Sequence, residues 1–250
     1  MRPLGQHLED HGDDVVEGAA AAPIRVSPGC HDEAPDKEEL MPQRTIALYA
    51  TETMADWEYA YLTAQIATIE KMRPGRFRLL IVGDGLDPVT SLGGMPVAPS
   101  SELDELVRDG SLACLVIPGG EHYAQGHERL IDVTRSLVDR GVPVAAICGG
   151  TLLLARSGLL DTRLHTSNAP VFLGASGYRG TERYVDQPVV TDQGVTTAGG
   201  IHAIPFTAEV MRLTGLNPVE MADAWERLLL TGEPQHYGEL TQATEAWLSS

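Results

Sequence analysis

The chain has 250 residues, of which 43% are hydrophobic, and this length suits one sizeable domain with extensions or at most two small domains. Its formal net charge at pH 7 is -17, because 35 acidic side chains outnumber 18 Lys and Arg residues. This charge argues against nucleic acid as a partner, since phosphate binding needs clustered Lys and Arg, and it equally disfavours docking on an anionic membrane.

The first 43 residues differ from the rest in composition. They carry ten acidic side chains against three basic ones, and no helical or strand period persists in them. Such a segment buries too little apolar surface to offset the entropy of ordering it, so we predict that residues 1–43 are an acidic, disordered tail. A domain of mixed strands and helices is expected over residues 44–217, and a helical extension over residues 218–250.

From residue 44 onward, apolar strands alternate with segments of helical periodicity. Buried strands are predicted at residues 45–50, 77–82, 112–117 and 142–147, and two weaker strands at 185–190 and 195–198. Residues 89–99, which contain a Gly-Gly pair, predict a hairpin. Helices are predicted at residues 56–72, 103–108, 128–140, 151–157, 203–214, 222–230 and 237–248.

This alternation predicts parallel strand pairing with helices on both faces of the sheet. We therefore expect an α/β fold, a flavodoxin-like three-layer α/β/α sandwich with a mainly parallel sheet. Ligands of such sheets bind at the carboxyl ends of the strands, which is where a functional site is expected.

Three cysteines, Cys30, Cys114 and Cys148, offer neither a disulfide framework nor a spacing typical of metal sites. No basic segment followed by an apolar run begins the chain, and no apolar stretch approaches the roughly 20 residues that a membrane span needs. We therefore expect a cytoplasmic protein that binds no metal and no cofactor.

The stretch 144–155, VAAICGGTLLLA, carries the strongest chemical signal in the chain. A buried strand leads directly into Cys148, two glycines follow, and a helix begins. Small residues two positions before and after the cysteine, Ala146 and Gly150, are what the tight turn of a nucleophile elbow requires. The helix N-terminus behind it favours a thiolate and hence a lowered pKa. The alternative is a buried core cysteine beside a flexible turn, an interpretation that suits Cys114 in mid-strand.

Five segments in this order resemble the DJ-1/PfpI (ThiJ/PfpI) family, which is related to the class I glutamine amidotransferases. They are MADWE at 54–58, VIPGG at 116–120, AICGG at 146–150, GLLDTRLHTSN at 158–168 and TTAGGIHAIPF at 196–206. The resemblance implies that Cys148 is the nucleophile or an oxidisable thiol, and that Glu58 is an acid hydrogen-bonded to its sulfur. It also implies an oxyanion hole made by the backbone of Gly120 and Gly149, a small-molecule substrate and a homodimer.

The histidines depart from the patterns of the resembled family. Gly149 stands where peptidase-like members carry a histidine, and Asn168 falls near the position of the histidine in other members. His165 lies three residues from Asn168, which along a strand points it to the opposite face. His202 is not followed by Pro-Glu, so the triad of a glutaminase is incomplete. His202, Asn168 and His122, which is next to the expected oxyanion loop, are the candidates for further pocket residues.

The leading functional hypothesis is a cysteine-dependent enzyme, a hydratase, hydrolase or glyoxalase-like protein, that acts on a small metabolite through thiolate addition. The alternative is a redox sensor whose Cys148 is oxidised without turnover. A third reading is a glutamine amidotransferase-like subunit, which the incomplete triad disfavours.

Deletion of residues 1–43 should leave the melting temperature nearly unchanged, because their composition predicts no contribution to the core. Thermal unfolding of the full and truncated chains followed by circular dichroism measures this. A drop of many degrees on truncation would contradict the predicted disorder.

Overall fold

A computed structural model of the protein describes residues 43–250, so the predicted disorder of residues 1–43 lies, except for Gln43, outside the described residues. The strands are β1 Arg44–Tyr49, β2 Phe77–Gly83, β3 Val89–Thr90, β4 Pro96–Val97, β5 Ser101–Glu102, β6 Leu112–Ile117, β7 Val144–Ile147, β8 Val189–Asp192 and β9 Val195–Ala198. The helices are α1 Asp56–Met72, α2 Leu103–Leu106, α3 Glu128–Asp139, α4 Gly149–Arg156, α5 Pro170–Gly174, α6 Ala203–Thr214, α7 Val219–Thr231 and α8 Pro234–Leu248, with a 3-10 helix at Thr181–Arg183.

Within the described residues, seven strands form one sheet in the order β5-β2-β1-β6-β7-β9-β8. Every neighbouring pair is parallel except β8 and β9, which run antiparallel at one edge. Strands β3 and β4 form a separate antiparallel hairpin, as the Gly-Gly pair predicts. The predicted α/β/α sandwich is confirmed.

Alternating side chains of the central strands enter two core layers on opposite faces of the sheet. In β1, Ile46 and Leu48 pack among residues of α1, α6, α7 and α8, whereas Ala47 and Tyr49 pack among residues of α2, α3 and α4. This division follows from the two-residue period of a strand. Because both faces are covered, the central strands are apolar along their whole length, which is why the sequence shows them clearly.

Several boundaries differ from the predicted ones for local reasons. β7 begins at Val144 rather than at residue 142, and the predicted strand 185–190 is mostly loop, with β8 beginning at Val189. The last two helices are longer than predicted. Helix α7 follows Pro218 and ends at Gly232, whose φ of 69° is the left-handed conformation that closes helices. Pro234 then begins α8, since proline suits the first turn of a helix.

The C-terminal helices pack on the same core layer as α1. Trp225 of α7 and Trp247 of α8 are buried among residues of α1 and α6. The guanidinium groups of Arg73 and Arg76 lie 5.0 and 5.3 Å from the centre of the Trp247 ring. The domain boundary at residue 217 stays a prediction. None of the helices between residues 43 and 250 is long and apolar enough to cross a bilayer.

Replacing Trp247 by Ala should lower the free energy of unfolding by about 3 kcal/mol, because it empties a buried aromatic site and removes the surface under two arginines. Tyr237→Ala on the same helix is the control, since Tyr237 is 67% exposed and should change that free energy by less than about 0.5 kcal/mol. Urea unfolding measures both values. Equal losses in the two variants would show that α8 does not pack as described.

Candidate active site

The carboxyl ends of the parallel strands bring the site residues together at one edge of the sheet. Cys148 follows β7, Gly119 and Gly120 follow β6, and Gly200 follows β9 by two residues. Glu58 lies in the first turn of α1, after the loop that leaves β1. This is the edge at which ligands of such sheets bind.

Cys148 occupies a strained turn between β7 and α4. Its backbone has φ 54° and ψ -120°, which is rare for a residue with a side chain. The backbone N–H of Cys148 donates to the oxygen of Ala198 at 2.9 Å. A Cβ on Gly149 or Gly150 would lie 2.5 Å from a carbonyl oxygen of the β6 segment, so only glycine fits after the cysteine. This is the geometry of the nucleophile elbow that the small residues predict.

Glu58 is completely buried beside the cysteine. Its Oε2 accepts a hydrogen bond from the N–H of Gly119 at 2.5 Å, whereas its Oε1 has no hydrogen-bonding partner among residues 43–250. A Cβ on Gly200 would lie 2.9 Å from both this Oε1 and the Sγ of Cys148. The carboxyl and the thiol therefore border one narrow space, and the hydrogen bond to the sulfur that the resemblance implies for Glu58 stays a prediction.

The side chain of Asn168 also reaches the sulfur. Its Nδ2 donates to the Sγ of Cys148 at 3.3 Å, and its Oδ1 accepts from the N–H of Gly200 at 2.8 Å. The second bond fixes which end of the amide faces the sulfur. The indole Nε1 of Trp57 donates to the carbonyl oxygen of Gly200 at 3.3 Å, so the peptide groups on both sides of Gly200 are held.

Burial raises the pKa of the Glu58 carboxyl, and the N–H of Gly119 and the nearby thiol of Cys148 only partly oppose this. The pKa of the Cys148 thiol is also raised, first by burial. The amide of Asn168 and the N–H of Gly149 lower it, whereas the nearby carboxylate of Glu58 raises it. The lowered pKa expected from the helix N-terminus is therefore wrong in direction, since burial and a neighbouring carboxylate outweigh it.

The backbone groups proposed for an oxyanion hole are neighbours in the structure. A Cβ on Gly149 would lie 2.9 Å from the backbone nitrogen of Gly120. The N–H of Gly149 is directed at the sulfur of Cys148, and the N–H of Gly120 has no acceptor within residues 43–250. One donor therefore faces the thiol and the second lies next to it in space, and their role as an oxyanion hole stays a prediction.

None of the candidate histidines is hydrogen-bonded to the sulfur or to Glu58 in the described part of the chain. His165 is buried and bonded to the oxygen of Arg163, as its opposite orientation predicts. His202 precedes α6, and its backbone N–H donates to the oxygen of Gly199. His122 is exposed and lines a different cavity. Residues 43–250 hold no cluster of three or more residues suited to a metal ion.

That cavity is a cleft of about 800 Å³ at the carboxyl ends of β1 and β2, and Cys148 does not line it. The loop after β6 lies between the two, because Gly120 faces Thr51 and the oxygen of Glu52 on the side of the cleft. The hydroxyl of Tyr49 is 3.1 Å from the Nδ1 of His127 in its wall. These loops are far apart in the sequence, so no local motif predicts that they meet.

Sequence reasoning also missed Trp57 and Gly200 as parts of the site. Both residues stand in segments that resemble the family, 54–58 and 196–206, without a role of their own there. The adjacent glycines at 199–200, directly after a buried strand, are the sequence feature from which a close backbone approach could have been predicted.

The model of the DJ-1/PfpI family matches residues 44–213 of the chain. A Bacillus subtilis (strain 168) protein named "Uncharacterized protease YoaZ" is 32% identical over 205 residues, which cover 80% of this chain and 97% of that protein. "Protein/nucleic acid deglycase 2" of Escherichia coli (strain K12) is 34% identical over 127 residues, which cover 49% of this chain and 72% of that protein.

Among solved structures, a thiJ/pfpI family protein from Bacillus anthracis superposes with a TM-score of 0.68 at 28% sequence identity. The match covers 81% of this chain and 99% of that one. The sheet order, the elbow and the sequence relatives therefore point to the same family.

Replacing Glu58 by Gln should lower the pKa of the Cys148 thiol, because a negative charge beside the sulfur is removed. Asn168→Ala should raise the pKa of the thiol, because the donor to the sulfur is lost. The rate of iodoacetamide labelling against pH, mapped by mass spectrometry, measures both shifts. Cys114 is the internal control, since burial raises the pKa of its thiol to about 12 and it should label slowly in every variant. An unchanged or raised pKa of Cys148 in Glu58→Gln would contradict this electrostatic account.

Proposed function

Because the chain belongs to the DJ-1/PfpI family, we propose that it is an enzyme whose Cys148 thiol adds to a small carbonyl- or nitrogen-containing metabolite. The names protease and deglycase, which two relatives carry, are consistent with a hydrolase or lyase. The observation that carries the proposal is the buried Oε1 of Glu58, which has no hydrogen-bonding partner among residues 43–250 and borders the space that holds the sulfur.

In the resting site we assign the proton to the sulfur, because burial and the carboxylate of Glu58 raise the pKa of the thiol. When substrate binds, Oε1 of Glu58 accepts the S–H proton while the sulfur attacks the electrophilic carbon. The electron pair of the C=O double bond moves to its oxygen, which becomes an oxyanion. We expect the N–H groups of Gly120 and Gly149, which are neighbours, to donate to that oxygen.

Glu58 then returns its proton to the oxygen, which gives a neutral covalent adduct on the sulfur. Because no histidine of the described part of the chain is bonded to the thiol, the same carboxyl serves as base and then as acid. A raised carboxyl pKa suits both tasks, since a general acid-base group works best when its pKa lies near the working pH.

Access to the thiol favours a small substrate. Cys148 is half-buried, and the Gly200 segment covers the sulfur so closely that an added Cβ would lie 2.9 Å from it. Trp57 and Ile201, which are 52% and 90% exposed, flank this segment and give the opening an apolar rim. The substrate is therefore expected to enter with its reactive carbon first.

The redox-sensor alternative has less support. Oxidation by peroxide requires thiolate, and both burial and Glu58 keep the sulfur protonated. The glutamine amidotransferase alternative is disfavoured because His202 makes no hydrogen bond to Cys148. The cytoplasmic location and the homodimer that the resemblance implies stay predictions.

A panel of small aldehydes, ketoaldehydes, esters and amides, including glutamine, tests the proposal. We expect turnover of a carbonyl compound that Cys148→Ser abolishes, that Glu58→Gln lowers by about 10² to 10⁴-fold, and that Cys114→Ala retains. No ammonia should be released from glutamine. Stoichiometric oxidation of Cys148 by peroxide without turnover of any compound would favour the sensor, and glutamine hydrolysis lost in Cys148→Ser would favour the amidotransferase.

A further inference from the structure

The loop between β6 and α3, residues 118–127, carries Gly120, whose backbone nitrogen lies next to Gly149, the residue after the nucleophile. A backbone N–H stabilises an oxyanion only if it is fixed in place before the reaction, because the donor must not reorganise. Gly120 makes no hydrogen bond through its own N–H within residues 43–250, so the groups on either side of it must hold its position.

On one side, the loop is anchored to the segment that leads into α1. The N–H of Ala55 donates to the oxygen of Gly119 at 3.1 Å, and the N–H of Glu121 donates to the Oγ1 of Thr53 at 2.9 Å. Together with the bond from Gly119 to Glu58, these fix the residues immediately before and after Gly120.

On the other side, the loop is anchored by Arg156, in the last turn of α4. The Nη1 of Arg156 donates to the carbonyl oxygens of Tyr123 and Gly126, at 2.9 Å in both cases. Its side chain is only 16% exposed, and its Nη2 lies 3.6 Å from the Oε1 of Glu128. The helix that begins at the nucleophile therefore also holds, at its other end, the loop that carries Gly120.

The ring of Tyr123 connects the anchored loop to the two glycines whose N–H groups are the donors, Gly120 and Gly149. It is 1% exposed, and a Cβ on Gly149 would lie 3.2 Å from its Cδ2. A Cβ on Gly120 would lie 3.4 Å from its Cε2. One rigid ring thus lies against both glycines, and Arg156 fixes the backbone of the residue that bears it.

We propose that Arg156 is a positioning residue, which holds the loop 118–127 so that the N–H of Gly120 stays aligned with that of Gly149 for the developing oxyanion. Arg156 touches neither the sulfur nor the substrate oxygen and takes no part in proton transfer. The proposal rests on the proposed function, because it assigns a role within the addition step.

Alkylation by iodoacetamide separates this role from a general loss of structure. Displacement of iodide by the thiol develops no oxyanion, so it needs the sulfur but not the N–H of Gly120. The charge of Arg156 is not among the causes that shift the pKa of Cys148, which are burial, Asn168, Glu58 and Gly149. Loss of Arg156 should therefore reduce turnover and leave the thiol as reactive as before.

The experiment compares Arg156→Met with Arg135→Met. Arg135 is a matched control because its Nε donates to the carbonyl oxygen of Ser157, at the end of the same helix, and it makes no bond to the loop 118–127. Arg156→Met should lower kcat about 10 to 100-fold with KM nearly unchanged, since one oxyanion donor loses its alignment. Its alkylation rate and thiol pKa should match the wild type, and Arg135→Met should keep kcat within about twofold.

Amide hydrogen exchange of the same variants gives a second readout, which does not depend on activity. Residues 118–127 should exchange faster in Arg156→Met than in Arg135→Met or the wild type. Arg156→Gln, whose amide can still donate to one of the two carbonyl oxygens, should fall between them in both kcat and exchange.

An unchanged kcat in Arg156→Met, an equal loss in Arg135→Met, or alkylation that falls in parallel with kcat would each overturn the proposal. If the wild type shows no Cys148-dependent turnover, the proposed function fails. Amide hydrogen exchange then still tests whether Arg156 anchors the loop 118–127. Unchanged exchange of residues 118–127 in Arg156→Met would overturn the anchor as well.

Discussion

A buried carboxyl and a half-buried thiol border one space in this protein, and a Cβ on Gly200 would lie 2.9 Å from both groups. One oxygen of Glu58 is occupied by the N–H of Gly119, and the other has no partner among the described residues. Burial raises the pKa of both groups, so the pair carries a single negative charge. The strained backbone of Cys148, the glycines and the amide of Asn168 are arranged around this pair.

The buried carboxyl makes the site reactive, and it costs the folded protein stability when it is ionised. Because burial raises the pKa of Glu58 above its ordinary value of 4.5, the folded state disfavours the ionised carboxyl. The stabilisation from the neutral form is fully present below that ordinary value and is lost as the pH rises through the raised pKa of the folded state. The rest of the sheet compensates, since both faces are covered and the C-terminal helices extend one core layer.

The fold was predictable because the central strands are buried on both faces and read as continuous apolar runs between helices. The elbow was predictable because only small residues fit beside Cys148, and Asn168 because counting placed it near a histidine of the resembled family. The direction in which the pKa of the Cys148 thiol shifts was not predictable, because the burial of the thiol and the approach of Glu58 depend on tertiary packing. Arg156 was equally invisible, since it meets Tyr123 across 33 residues of sequence.

The central claim is that Glu58 receives the proton that the thiol of Cys148 gives up when the substrate adds. Infrared difference spectroscopy, recorded while the wild-type protein forms its covalent adduct with a carbonyl substrate, tests this directly. The account predicts that a C=O band of a protonated carboxyl appears transiently as the sulfur adds and disappears when the proton passes to the oxygen of the adduct, and that this band is absent in Glu58→Gln and Cys148→Ser. Adduct formation without such a band, or an equal band in Glu58→Gln, would contradict it.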